Sequence, residues 1–189
     1  MLITGKKWVA FFSNTGNEIY NVSKIIGRFP DVVVTNNTPD SKSINKRLLN
    51  RVGNVMWMND RPEEGEYHNV LNDVCDDCVI TLHGWMRIMP KSICKQYTIY
   101  NLHPGLISKY PELKGADPQK RVTENSDDKY KFVGCVIHKV ITKVDEGKIL
   151  AETSVRNVYP SEKLLSCRLH EMATELWVQF LDQETDQYL

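Results

Sequence analysis

The residues of this chain best suited to acid–base chemistry cluster where an apolar run ends. In the stretch YNLHPGLISKYPELKG an amide, Asn101, and an imidazole, His103, stand two residues apart just before Pro104. Proline has no N–H for a ladder, so Ile99 to Leu102 reads as a strand that stops there. Positions i and i+2 of a strand share a face, so Asn101 and His103 can aim at one point. A carboxylate beside an imidazole orients it and raises its pKa. Asp145, in the turn KVDEGKI, is the carboxylate assigned here to His103. An ordinary turn aspartate ahead of Gly147 is equally compatible with that position.

Other elements must bring these groups together. Trp8 to Phe12, Val32 to Thr35, Val55 to Met58 and Val79 to Leu82 are short, partly β-branched apolar runs without strict alternation, as in parallel strands buried on both faces. Between them Glu18 to Ile26, Ser43 to Asn50 and Tyr67 to Val74 carry apolar residues at helical spacing, and a further helix runs from Pro90 to near Tyr97. The succession predicts an α/β fold, a mostly parallel sheet flanked by helices. Phe132 to Val140 and Ile149 to Val155 read as two later strands joined by DEGK, and Ser161 caps a long final helix to about Leu181. The tract TENSDDKYK is read as a surface connection. Open α/β sheets keep ligands at the carboxyl ends of their strands, where Asn101 and His103 fall.

Composition narrows the function classes. At 189 residues, one domain spanning 1–189 suffices to bury a core, and 24 basic against 24 acidic side chains exclude the electrostatic footprint of a sequence-blind nucleic-acid binder. No window approaches a membrane span, so a soluble, cytoplasmic protein with a small partner is expected. Five cysteines, an odd number in a chain of this size, suggest free thiols in a reducing compartment. Cys75 and Cys78 in CDDC have half a zinc-site spacing with no second half, so no metal is expected. In FFSNTGNEI the single Gly16 suggests a tight turn with Thr15 or Asn17 as helix cap ahead of an anion cradle, and Glu18 places a negative charge where an anion would sit. His68 and His170 stand alone, His83 is a pocket-wall candidate at a strand end, and His138 could face either side of its strand.

Taken together, LHGWMRIMP, YNLHPGLISKYPELKG and VGCVIHKVITKVDEGKILAE resemble the folate-dependent formyltransferase family, most of all its glycinamide ribonucleotide branch. The resemblance covers nearly the whole chain and implies a Rossmann-like formyltransferase fold using 10-formyltetrahydrofolate, without metal, in one-carbon and purine metabolism. It places the family's catalytic asparagine, histidine and aspartate on Asn101, His103 and Asp145. An amine attacking the formyl carbon develops an oxyanion, which Asn101 and a protonated His103 would stabilise, while Asp145 keeps His103 charged. The resemblance also implies folate binding between Met86, Arg87, Ile88 and Met89 on one side and Ile141, Thr142 and Val144 on the other. Arg87 has an alternative role as an ion-pair partner.

The chain departs from that branch in three places. SNTGNE has one glycine fewer than the usual phosphate loop and carries Asn17 and Glu18, so the acceptor loop is assigned to Asn14, Thr15, Gly16 and Asn17 with its phosphate binding in question. The final helix offers only Glu171 for the acceptor, and Ser108 replaces a family proline. The expected activity is formyl transfer to the primary amine of a small phosphorylated molecule, by a monomer or homodimer. An amino-sugar nucleotide acceptor, hydrolysis of 10-formyltetrahydrofolate, and a folate-binding module without catalysis are the alternatives.

Overall fold

The structure is a computed structural model and describes residues 2–125 and 129–182. Its centre is a seven-stranded sheet. β1 (Lys7–Phe12), β2 (Val32–Thr35), β3 (Asn54–Trp57), β4 (Cys78–Leu82) and β5 (Ile99–His103) are joined by α1 (Asn17–Ile26), α2 (Lys46–Leu49), α3 (Glu64–Val74) and α4 (Lys91–Gln96). A 3-10 turn at Pro111–Leu113 and α5 (Pro118–Thr123) follow, then β6 (Phe132–Lys139), β7 (Ile149–Arg156) and α6 (Glu162–Asp182).

The strand order is β3-β2-β1-β4-β5-β6-β7. The first five strands are parallel, and β6 and β7 join antiparallel. β1 lies between β2 and β4, so the chain reverses its winding there and opens a crevice above the strand ends. Apolar runs without alternation are buried on both faces, as Val9 to Phe12 and Val32 to Val34 are. One face packs Trp8, Phe12, Ile19, Leu169 and Trp177 against α1 and α6; the other packs Phe11, Tyr67, Leu71 and Ile93 against α3 and α4.

Several expectations are corrected. α2 is a single turn instead of Ser43 to Asn50, because Asn45 caps it by accepting from the N–H groups of Arg47 and Leu48. α1 starts from Gly16 at φ 72, not from a side-chain cap at Thr15 or Asn17, although Thr15 Oγ1 accepts from Asn17 N at 3.1 Å. α5 had no expected counterpart: its six residues show too little periodicity to stand out. Ser161 does cap α6, accepting from Leu164 N at 3.4 Å. Of the TENSDDKYK tract, positions 126–128 lie outside the described residues.

The cysteines differ most. Cys75 and Cys78 form a disulfide across a Cα separation of 5.3 Å, and Cys94, Cys135 and Cys167 are free. The turn from α3 into β4 brings the pair together, which removes the basis for inferring a reducing compartment from thiol count. No helix among the described residues is long and apolar enough to cross a membrane.

Two outcomes are expected. Alkylating the unfolded chain with iodoacetamide should add three groups without reductant and five with it, read by intact mass. Gly147→Ala should cost about 1–3 kcal/mol in urea denaturation, since its Cβ would run into the Lys139 carbonyl oxygen beneath the β6–β7 turn.

Candidate active site

A cleft of about 780 Å³ opens over the carboxyl ends of β1, β4 and β5. Asn14 and Glu18 line it from the first loop and α1, Gly84 to Met89 from the segment after β4, and Asn101 to Pro104 from β5. Gly115 to Gln119, Ile141, Val144 and Asp145 close it from later in the chain. Met86 N donates to Ser13 Oγ at 2.9 Å, which ties the loop after β4 to the loop after β1.

Asp145 is the centre of the polar wall. Its Oδ2 lies 3.2 Å from His103 Nδ1 and accepts from Gly115 N at 2.8 Å, and its Oδ1 lies 3.2 Å from His138 Nε2. The three side chains are 8%, 5% and 3% exposed respectively. Each imidazole also faces a main-chain carbonyl: His103 Nε2 lies 2.8 Å from Leu113 O, and His138 Nδ1 lies 3.1 Å from Lys139 O. Asn101 Nδ2 reaches His138 Nε2 at 3.3 Å, because Asn101 and His138 are directly opposed across the β5–β6 ladder. Asn101, His103 and Asp145 therefore do converge, with His138 completing the group.

Local backbone makes this placement possible. Asp145 sits at φ 52, a left-handed conformation that aspartate tolerates better than most residues. The segment supplying Leu113 O is held by Arg121, whose Nη2 donates to the carbonyls of Leu113, Lys114 and Ala116 at 3.1, 2.9 and 2.7 Å.

Charge distribution follows from burial and partners. Burial would raise the Asp145 carboxyl, but its hydrogen bond with His138, the charge of His103 and the Gly115 N–H together hold it below its ordinary value. Burial pushes His103 below its ordinary value, outweighing Asp145 and the Leu113 carbonyl, with His138 and Arg121 adding to the decrease. As expected, Asp145 acts to keep His103 charged, and the Leu113 carbonyl acts with it, but burial opposes both and is the larger effect. Both His103 nitrogens face acceptors, the Asp145 carboxylate and the Leu113 carbonyl, so a neutral ring can donate to only one of them and the pair is poised for proton exchange.

The remaining sequence-assigned residues divide. Met86, Arg87, Ile88 and Met89 line one wall and Ile141 and Val144 the other, whereas Thr142 is not on the lining and Lys143 is. Arg87 is bound to Asp60 at 2.6 Å. Asn14 lines the cleft, but Thr15, Gly16 and Asn17 do not. Glu171 does not line it and pairs instead with Arg168 at 2.8 Å, while His170 and Ala173 of the same helix line it. His83 is buried behind the wall, held 2.7 Å from Glu18 Oε1. His138 was the residue that periodicity left undecided; its cross-strand register opposite Asn101 is what turns it toward the cleft.

An open α/β sheet with a cleft at its winding reversal, lined by an amide, two imidazoles and a shared carboxylate, defines a Rossmann-like scaffold with an acid–base cluster in its cleft. The chain belongs to the formyl transferase family, whose model matches residues 14–181. It is 32% identical over 116 residues to a phosphoribosylglycinamide formyltransferase of Dictyostelium discoideum, covering 56% of this chain and 54% of that protein, so it spans about half of that relative. A phosphoribosylglycinamide formyltransferase structure from Anaplasma phagocytophilum superposes with a TM-score of 0.77 at 20% identity, covering 92% of this chain and 84% of that one. A formyltetrahydrofolate deformylase from Pseudomonas syringae pv. tomato superposes at 0.73 and 17% identity, covering 93% of this chain and 60% of that one. At these identities the superpositions establish the fold.

The lowered His103 value has a consequence for stability. Below the ordinary histidine value of 6.5 the unfolded chain takes up a proton that the folded His103 resists, so stability is full above that pH and falls as the pH drops. The melting temperature should therefore decline from about pH 7 to about pH 5 more steeply in the native chain than in His103→Gln. Equal slopes would contradict a burial-driven shift.

Proposed function

We propose that the chain, acting as one formyltransferase unit, transfers a formyl group from 10-formyltetrahydrofolate to a primary amine of a small molecule. The observation that carries this reading is the convergence of Asn101, His103 and Asp145 on one cleft in a formyl transferase fold. Asn101 Nδ2 is the donor suited to the oxyanion that develops when the amine attacks the formyl carbon, and such a donor contributes roughly 10²- to 10³-fold. Proton movement from the attacking amine to the departing folate nitrogen, through the His103–Asp145 pair, is worth about 10²- to 10⁴-fold. His138 holds the far oxygen of Asp145 and so fixes the carboxylate's orientation.

The cleft's shape supports a flat, largely apolar co-substrate. Met86, Ile88, Ile141 and Val144 are 62%, 72%, 40% and 50% exposed, large apolar side chains on facing walls with no protein cover. A pterin inserted between them buries that surface. The chemistry uses only side chains and the two substrates.

Hydrolysis is the second reading, supported by the likeness to a deformylase fold, and differs only in water replacing the amine. Spectrophotometric release of tetrahydrofolate with and without an amine panel separates the two, and mass spectrometry of the product identifies the acceptor. Asn101→Ala, His103→Ala and Asp145→Ala should each lower kcat by about 10²-fold or more with folding retained. Unchanged rates in all three would remove the assignment.

A further inference from the structure

A second polar chain reaches the cleft from the α1 and α6 side, and formyl transfer as proposed does not use it. Trp8 Nε1 donates to Thr81 Oγ1 at 2.8 Å, and that oxygen lies 2.9 Å from His83 Nε2. His83 Nδ1 lies 2.7 Å from Glu18 Oε1, which also accepts from Trp177 Nε1 at 2.9 Å. Trp8, Thr81 and Trp177 are fully buried and His83 nearly so. With the threonine hydrogen given to His83 Nε2, every group in the chain is satisfied by one proton, so the pattern assigns the Nδ1–H tautomer to His83 and the acceptor role to the Glu18 carboxylate.

This chain ends on an oxygen left over. Both bonds to Glu18 fall on Oε1; Oε2 has no protein partner among the described residues, and the side chain lines the cleft while remaining 21% exposed. Two tryptophans, a threonine and a histidine thus immobilise a carboxylate at the acceptor end. The permanently cationic side chains on the cleft lining are Arg87 and Lys143, and each already faces a carboxylate, Asp60 at 2.6 Å and Glu146 at 3.5 Å. In the neighbouring loop two N–H groups are already engaged: Ser13 N donates to Gly84 O at 3.2 Å and Asn17 N to Thr15 Oγ1 at 3.1 Å. A phosphate here would face a fixed negative charge, and among the described residues that line the cleft both permanent cations are already paired with carboxylates.

We propose that Glu18 is a specificity-determining residue whose Oε2 binds an O–H or N–H donor of the acceptor. The acceptor is then a hydroxyl-bearing amine with no phosphate at the α1 end of the cleft. The inference rests on the formyl-transfer reading for the amine and replaces the phosphorylated acceptor expected from sequence resemblance.

A matched pair of ligands tests it: glycinamide ribonucleotide and its dephosphorylated nucleoside, titrated by calorimetry into the tetrahydrofolate-loaded chain. The nucleoside should bind roughly tenfold more tightly than the nucleotide, and Glu18→Gln, which keeps the acceptor oxygen for Trp177 and His83, should erase most of that preference. Equal or tighter binding of the nucleotide, a preference unchanged in Glu18→Gln, or binding of neither ligand would each overturn the proposal. If Glu18→Gln does not fold, the native ranking alone decides. Formyl transfer is not read here, so an inactive protein that still ranks the pair this way would count against the reaction and leave the anchor intact.

Discussion

A carboxylate withdrawn from water must be surrounded by donors, and the cleft of this protein is organised around meeting that demand for Asp145. Two imidazoles and one main-chain N–H supply the donors. An isolated buried carboxylate would cost several kcal/mol, so the loop after β5, the β6 strand and the turn carrying Asp145 hold their positions jointly. Each imidazole in turn leans on a backbone carbonyl, which extends the constraint from three side chains to the loops that carry them.

That arrangement explains why the value of His103 lies below the ordinary one although it touches a carboxylate. Attraction across 3.2 Å acts on a charge that first has to be desolvated, and in this wall desolvation is the larger effect. An imidazole whose two states are brought close by opposing burial and carboxylate effects suits the proposed chemistry, in which an amine becomes charged and then loses that charge. On the lining of the same cleft, the chain from Trp8 to Glu18 fixes a second carboxylate with donors from buried His83 and Trp177. In the proposed reaction the first carboxylate serves the proton and the second the choice of acceptor.

The sheet could be read in the sequence because its cause is local. Uninterrupted β-branched runs separated by helical spacing have few other solutions, and Pro104 and Ser161 mark their boundaries through missing or supplied hydrogen bonds. α5 escaped because six residues hold less than two turns of pattern, and α2 shrank because Asn45 offered a cap inside the expected helix. The placement of Asn101 and His103 on one side was equally local, a matter of period two. The pairing of Cys75 with Cys78 was open to sequence as a spacing, but only the turn between α3 and β4 sets the two thiols within bonding reach.

Sequence by itself determined the fold class, the strand that ends in an amide and an imidazole, and the residue types able to move a proton, since these follow from spacing along the chain. Tertiary structure alone decided that His138 turns to Asp145, that Glu171 pairs with Arg168 away from the cleft, that burial lowers the His103 value, and that Glu18 is held by Trp177 from 159 positions away. Those outcomes depend on burial and on register between distant strands and helices. Both arise only once the whole core closes, so no window of sequence contains them.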